Sequence, residues 1–270
     1  MTRNELISQI RLKKSFLCVG LDPDIEKIPQ FLIDEEEDPI YEFNKMIIDS
    51  TAPYCVSFKP NAAFYEAYGS SGHESLEKTI RYIKANYPDH LVIADAKRGD
   101  IGNTSAMYAK GFFKKLNADA ITVAPYMGSD SVKPFLAFEN KWAIILALTS
   151  NEGSADFEQL PVNGKPLYMH VIEACKGWGT VDNMMFVVGA TKASLLSDIR
   201  KTIPEHFLLV PGVGAQGGDL AEVCKYGMNK DIGLLVNASR SILYARNDKD
   251  FAEKAGAEAR RLAEEMAPLL

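Results

Sequence analysis

The sequence predicts an α/β fold, a single (β/α)8 barrel spanning residues 1–270. Three observations predict it: short apolar runs recur eight times, helix-period stretches lie between them, and no Pro/Ser-rich linker or compositional break interrupts the series. Parallel strands need a long crossover between them, and a helix is the usual one. A doubly wound open sheet obeys the same alternation and is the competing arrangement. Eight units in 270 residues favour closure, because barrels of this kind commonly need about 250 residues.

Taken in order, the opening stretch MTRNELISQIRLKKS reads as an amphipathic helix and lacks the apolar core of a signal peptide. The first strand is the apolar run Phe16–Leu21, and helix-period residues follow at Tyr41–Ile48. Cys55–Phe58 and Leu91–Ala94 are the next strands, with a helix at Leu76–Lys84 between them. A helix at Ser105–Leu116 leads to the fourth strand, Ala120–Ala124, and one at Val132–Phe138 to the fifth, Trp142–Leu148. Helices at Leu167–Cys175, Ala193–Ile199 and Leu220–Tyr226 alternate with strands Met184–Val188, Phe207–Val210 and Gly233–Val236. The last helix, Phe251–Met266, places Ala255, Ala259, Leu262 and Met266 on one stripe. The loop Ser150–Pro166 is longer and more polar than the others, and loops of that length inside a compact domain are usually functional or disordered. It is expected to be a lid.

Composition narrows the function classes. With 47% hydrophobic and 24% charged residues the chain is globular, and a formal charge of −6 argues against a nucleic-acid surface. The longest apolar run, Trp142–Leu148, is too short to cross a bilayer. Cys18, Cys55, Cys175 and Cys224 lie far apart with no Cys-x-x-Cys, which reads as buried free thiols in a reducing compartment. A cytoplasmic protein with no membrane or nucleic-acid partner is expected.

The chemistry concentrates where the first three strands end. Strand alternation puts Phe16, Cys18, Gly20 and Asp22 on one face, Cys55, Ser57 and Lys59 on one face, and Leu91, Ile93, Asp95 and Lys97 on one face. If the uniformly apolar faces meet the helices, Asp22, Lys59, Asp95 and Lys97 point inward at the carboxyl-terminal mouth. Adjacent strands are about 4.8 Å apart, so these groups are within mutual reach. The signs alternate, with Asp100 just beyond, and such an array compensates itself. One reading is a structural ion-pair network; the other is an active site, since barrel enzymes keep theirs at this mouth.

Two later segments read as an anion cradle. Pro211-Gly-Val-Gly-Ala-Gln-Gly-Gly218 follows the seventh strand and leads into a helix near Asp219, where free N–H groups would attract negative charge. Asn237-Ala-Ser-Arg240-Ser241 follows the eighth and supplies a guanidinium. Together they point to a phosphorylated substrate whose reacting centre lies over Asp95 and Lys97. No His-x-x-x-His, cysteine cluster or DxDxDG loop is present to hold a metal, and His73, His90, His170 and His206 read as surface or packing residues. Neither a metal nor an organic cofactor is expected.

With these residues in place, the chain resembles the orotidine 5′-phosphate decarboxylase family, in its longer bacterial type-2 form. Asp95-Ala-Lys97-Arg-Gly-Asp100-Ile-Gly-Asn-Thr104 is similar to the family's DxKxxD element and its trailing threonine. Val19-Gly-Leu-Asp22-Pro, Phe58-Lys59-Pro-Asn61, Leu148-Thr-Ser150-Asn, Val210 to Gly218 and Val236-Asn-Ala-Ser-Arg240-Ser follow in family order over nearly the whole chain. The resemblance implies a TIM barrel that converts orotidine 5′-monophosphate to uridine 5′-monophosphate and CO2, with Lys97 protonating C6 of the pyrimidine. It implies Asp95 against the departing carboxylate between Lys59 and Lys97, and a homodimer in which Asp100 and Thr104 reach into the partner's site. Asp22 would contact ribose hydroxyls, Ser150 the pyrimidine edge, and Gln216 and Arg240 the phosphate, with Gly212, Gly214 and Gly217 as the phosphate loop. Glu152 departs from the proline that the family often carries there. Two rivals remain: a magnesium-dependent sugar-phosphate enzyme sharing DxKxxD, and a catalytically silent nucleotide-phosphate sensor.

Overall fold

A computed structural model describes residues 1–190, 193–213 and 218–270. Eight parallel strands close into a barrel: β1 Leu17–Leu21, β2 Ser57–Pro60, β3 Leu91–Arg98, β4 Ala120–Val123, β5 Trp142–Leu148, β6 Met184–Val188, β7 Phe207–Pro211 and β8 Leu234–Ala238. Each strand pairs with its sequence neighbours, and β8 closes on β1 through Leu17↔Val236, Cys18↔Asn237 and Val19↔Ala238. Closure removes the sheet edges that an open arrangement would have to protect. The open-sheet alternative is thereby excluded.

The strand sequences explain the layering. Their apolar runs are buried on both faces, as a sheet wrapped by helices requires. The helices Pro39–Thr51, Gly69–Asn86 and Phe251–Met266 turn apolar stripes inward, and the last carries Ala255, Ala259, Leu262 and Met266 on its buried side. The opening helix Arg3–Lys13 is fixed at its start by a capping box between Thr2 and Glu5. All four cysteines are free and buried. Among the described residues no helix is long and apolar enough to cross a membrane.

Most boundaries shift by a few residues from the sequence reading, and three of the shifts have a physical reason in the contacts. β3 continues past Ala94 to Arg98, because the pairing survives a register shift and carries the charged residues into the strand. The helix predicted from Ser105 begins at Gly102, where Ser105 Oγ donates to the Asp100 carbonyl and ties down the turn. The helix predicted at Leu76–Lys84 is longer, Gly69–Asn86, because Gly72 packs directly on the Tyr65 carbonyl, where a Cβ would clash, and Ser75 Oγ donates to Asp38 at 2.7 Å, so residues with no helical signal of their own are held in its first turns.

The loop Ser150–Pro166 has secondary structure of its own. It makes a helical turn at Glu152–Ala155 and a small hairpin pairing Pro161–Val162 with Lys165–Pro166. Glu158 clasps it to the end of β5, accepting from the Thr149 backbone N–H at 2.7 Å and from Thr149 Oγ1 at 2.9 Å.

Candidate active site

The strand register assembles a charged centre at the carboxyl-terminal mouth. Ser57 lies opposite Leu91 and Asn61 opposite Asp95, so the Lys59 side chain leans one rung along the barrel to meet Asp95. Lys59 Nζ is 2.7 Å from Asp95 Oδ2, and Lys97 Nζ is 2.7 Å from Asp95 Oδ1. Lys59 and Asp95 are only 5% and 8% exposed, whereas the Lys97 side chain is 51% exposed and opens toward the cleft. Burial by itself would push the Asp95 carboxyl up. The ammonium groups of Lys59 and Lys97, with their hydrogen bonds, hold it well below the usual carboxylate range instead. Burial likewise pulls Lys59 down, but Asp95 and then Asp22 outweigh it and keep the amine charged.

Lys97 reaches Asp95 by a route that simple alternation does not describe. Between Ala94 and Arg98 the strand advances four residues while β4 advances two, from Ile121 to Val123. Lys97 sits in this bulge with φ +47°, a left-handed conformation that costs a lysine about 1–2 kcal/mol. Its backbone N–H, left without a carbonyl opposite, donates to Thr122 Oγ1 at 2.9 Å.

Two adjoining cavities share Lys59, Asp95, Pro211 and Asn237. One, about 230 Å³, is bounded by Lys97, Thr122, Leu146, Ser150 and Val187. The other, about 190 Å³, contains Asp22, Asn61, Gly212, Ser239 and Arg240. Asp22 Oδ2 accepts from Ser239 Oγ at 2.8 Å, and its buried Oδ1 has no partner among the described residues, which leaves an acceptor for a ligand hydroxyl. Gly20 makes room for this: a Cβ there would lie 2.7 Å from Ser239 Cβ. The arrangement is a bipartite cleft, with a cation pair around a buried carboxylate at one end and a guanidinium at the other. A larger hollow of about 540 Å³ lies at the opposite rim, by Arg3, Asn140 and Asn183, remote from this chemistry.

Of the residues singled out in the sequence, Asp22, Lys59, Asp95, Lys97, Ser150, Gly212 and Arg240 all line the cleft. Asp100 does not join the Lys–Asp–Lys centre within this chain; its carboxylate instead accepts from the Ile101 N–H at 2.7 Å. Thr104 lies on the helix Gly102–Lys110, outside both cavities. Gln216, Gly214 and Gly217 lie outside the described residues. The expectation of free N–H groups at the start of the helix Leu220–Gly227 needs correction. The Asp219 carboxylate caps it, accepting from Ala221 N–H at 2.7 Å and Glu222 N–H at 3.2 Å, and brings negative charge there.

Sequence reasoning missed three contributors. Thr122 is the one polar residue in the β4 run, and its parity faces inward. Ser239 orients Asp22, and Tyr244 pins the loop after β1 by donating to the Asp22 carbonyl at 2.7 Å and accepting from Asp24 N–H at 2.8 Å. For Tyr244 no local signal exists, since it meets Asp22 from the far end of the chain. The histidines are remote from the cleft: His90 packs on Phe58 and Tyr87, and His206 on Phe186. Among the described residues no group of three or more His, Cys, Asp or Glu side chains is placed to hold a metal ion.

The family model described as Orotidine 5′-phosphate decarboxylase / HUMPS family matches residues 15–255. The orotidine 5′-phosphate decarboxylase of Flavobacterium johnsoniae is 63% identical over 270 residues, covering 100% of this chain and 98% of its own. That of Phocaeicola vulgatus is 58% identical over 271 residues, covering 100% and 99%. Among solved structures, Leishmania donovani OMP decarboxylase superposes with a TM-score of 0.85 at 37% identity, covering 100% of this chain and 99% of the other.

Proposed function

The chain belongs to the orotidine 5′-phosphate decarboxylase family of carboxy-lyases, and from that premise we propose that it decarboxylates orotidine 5′-monophosphate to uridine 5′-monophosphate, the last step of UMP biosynthesis, by fixed charges of its own. The observation that carries the mechanism is the buried Asp95 held between two lysine ammonium groups at 2.7 Å, in a cleft whose other end holds Arg240.

In this reading the bond from C6 to the carboxylate breaks, CO2 leaves, and the electron pair stays on C6 in the ring plane. The ring offers no ready π-delocalisation for that pair, so charge must be stabilised by groups already in position. Lys97, the exposed member of the triad, stabilises the developing anion and delivers its proton to C6. Asp95 faces the substrate carboxylate, and at about 4 Å with an effective dielectric near 20 the repulsion is about 4 kcal/mol, or three decades of rate. Enzymes commonly supply about 8–23 kcal/mol, so stabilisation of the carbanion and remote binding energy must provide the remainder.

Arg240, with Gln216 and the glycine loop, would bind the phosphate, the free Oδ1 of Asp22 a ribose hydroxyl, and Ser150 the pyrimidine edge. The Ser150–Pro166 segment acts as the lid of a single-domain barrel, and phosphate binding helps to hold it closed. The reaction needs no metal in this scheme: both Asp95 oxygens are taken by ammonium groups, and Lys59 would repel a divalent ion. We extend the proposal to a homodimer that brings Asp100 and Thr104 to the partner's cleft. Ile101, Met107, Tyr126 and Met127, exposed near these residues, supply apolar surface for such an interface.

The test is the ultraviolet change on adding orotidine monophosphate, with and without excess chelator, to the wild type and to Lys97→Ala. The wild type turns over in both conditions, while the variant loses turnover and still binds uridine monophosphate. Retained turnover in the variant refutes the proton-donor role, and chelator sensitivity refutes the metal-free scheme.

A further inference from the structure

We infer that Thr122 is a positioning residue for this reaction, acting through Lys97 and Asp95; the inference rests on the reading of Lys97 as the proton donor. Thr122 is 1% exposed on the inward face of β4. Its Oγ1 accepts from the Lys97 backbone N–H at 2.9 Å and donates to Asp95 Oδ1 at 2.9 Å. The same Oδ1 receives Lys97 Nζ at 2.7 Å. The three contacts form a closed ring: Lys97 N–H to hydroxyl, hydroxyl to carboxylate, and carboxylate back to the ammonium of the residue where the ring began.

The bulge makes this hydroxyl necessary. Because β3 advances four residues against two on β4, the Lys97 N–H has no ladder carbonyl to meet, and the side chain of Thr122 takes that place. A hydroxyl has one hydrogen and two lone pairs. Accepting from the amide commits the oxygen, and giving its hydrogen to Asp95 sets the orientation of the carboxylate. One side chain therefore fixes both the left-handed backbone that aims the lysine and the carboxylate that faces it. Mere space-filling would be served equally by valine, which has the same shape without the hydroxyl. Serine keeps the hydroxyl and loses a methyl group.

Thr122→Val and Thr122→Ser are compared with the wild type for kcat and KM on orotidine monophosphate, affinity for uridine monophosphate, and the pH dependence of kcat. Loss of a charge-assisted hydrogen bond predicts that valine lowers kcat about 10- to 100-fold. KM and product affinity stay within about threefold, since neither phosphate nor ribose contacts change. The acid limb of kcat moves to higher pH in the valine variant, because Asp95 loses a donor that favours its ionised form. Serine restores kcat to within about threefold of the wild type. A wild type that does not decarboxylate orotidine monophosphate sinks the functional reading itself. An active wild type with a valine variant of equal kcat, with a loss confined to KM, or with a folded serine variant as slow as valine overturns the role of Thr122 alone. Should the valine variant not fold, Thr122→Ala, which also lacks the hydroxyl, takes its place with the same expectations.

Discussion

Replacing Asp95 with asparagine removes one charge and leaves two cations facing each other across the cleft. In the wild type the folded Asp95 carboxyl lies below its unfolded value near 4, so its stabilisation is complete at neutral pH and is lost only as pH falls below about 4. Folded Lys59 lies above its usual 10.5, so its stabilisation is present below that value and is lost as pH rises through the folded one. Between pH 5 and 9 the pair contributes a constant amount. Lys97 adds less than its equal distance implies, because water reaches half of its side chain. Asparagine leaves Lys59 buried, with Asp22 as its nearby acid. Stranding one member of a buried pair costs about 3–5 kcal/mol, a large share of the 5–15 kcal/mol that a typical protein has. With Asp95 gone, burial dominates Lys59 and its folded pKa falls below the unfolded one. The folded state then binds fewer protons than the unfolded state, so stability rises with pH, by at most about 1.4 kcal/mol per unit. Urea denaturation at intervals from pH 6 to 9 measures both effects. A loss below about 1 kcal/mol at pH 7, or a rise with pH no steeper than the wild type's, would show that Asp95 does not hold Lys59 charged.

The other predictions concern the far end of the cleft and the far end of the barrel. Arg240→Ala weakens binding of orotidine monophosphate about 10- to 100-fold, the value of a charged phosphate contact, and leaves the unphosphorylated nucleoside nearly unaffected. Binding of uridine monophosphate against uridine measures this, and equal losses count against a phosphate role. At the opposite rim, burial first and then the Lys13 ammonium 2.6 Å from Nε2 push His90 down to about 4. Its contribution is therefore complete above about 6.5 and is lost as pH falls toward 4, about 2 kcal/mol between pH 7 and 5. His90→Gln should make the fall in Tm over that interval about 4 °C smaller, as read by circular dichroism; an unchanged fall would remove His90 as its source.

Periodicity along the chain is enough to specify eight strand–helix units, because each must bury an apolar face and a parallel strand buries both. Parity within a strand was also sufficient to send Lys59 and Asp95 into the mouth, and the segment after the last strand brings Arg240 to the same cleft. These are properties of residues one to four positions apart. Pairing across strands decided the rest. The bulge that turns Lys97 into a left-handed conformation exists only because β3 and β4 advance unequally, and Thr122 matters only because that bulge leaves an N–H without a carbonyl. Ser239 and Tyr244 reach Asp22 across more than 200 residues of chain, so no local pattern could carry the contact. The capping of the helix after β7 by Asp219 was hidden in the same way, since whether a side chain takes a free N–H depends on the backbone angle at the turn. Local sequence sets which face of an element is apolar; closing the barrel sets which polar groups meet, because only closure brings distant strands to hydrogen-bonding distance.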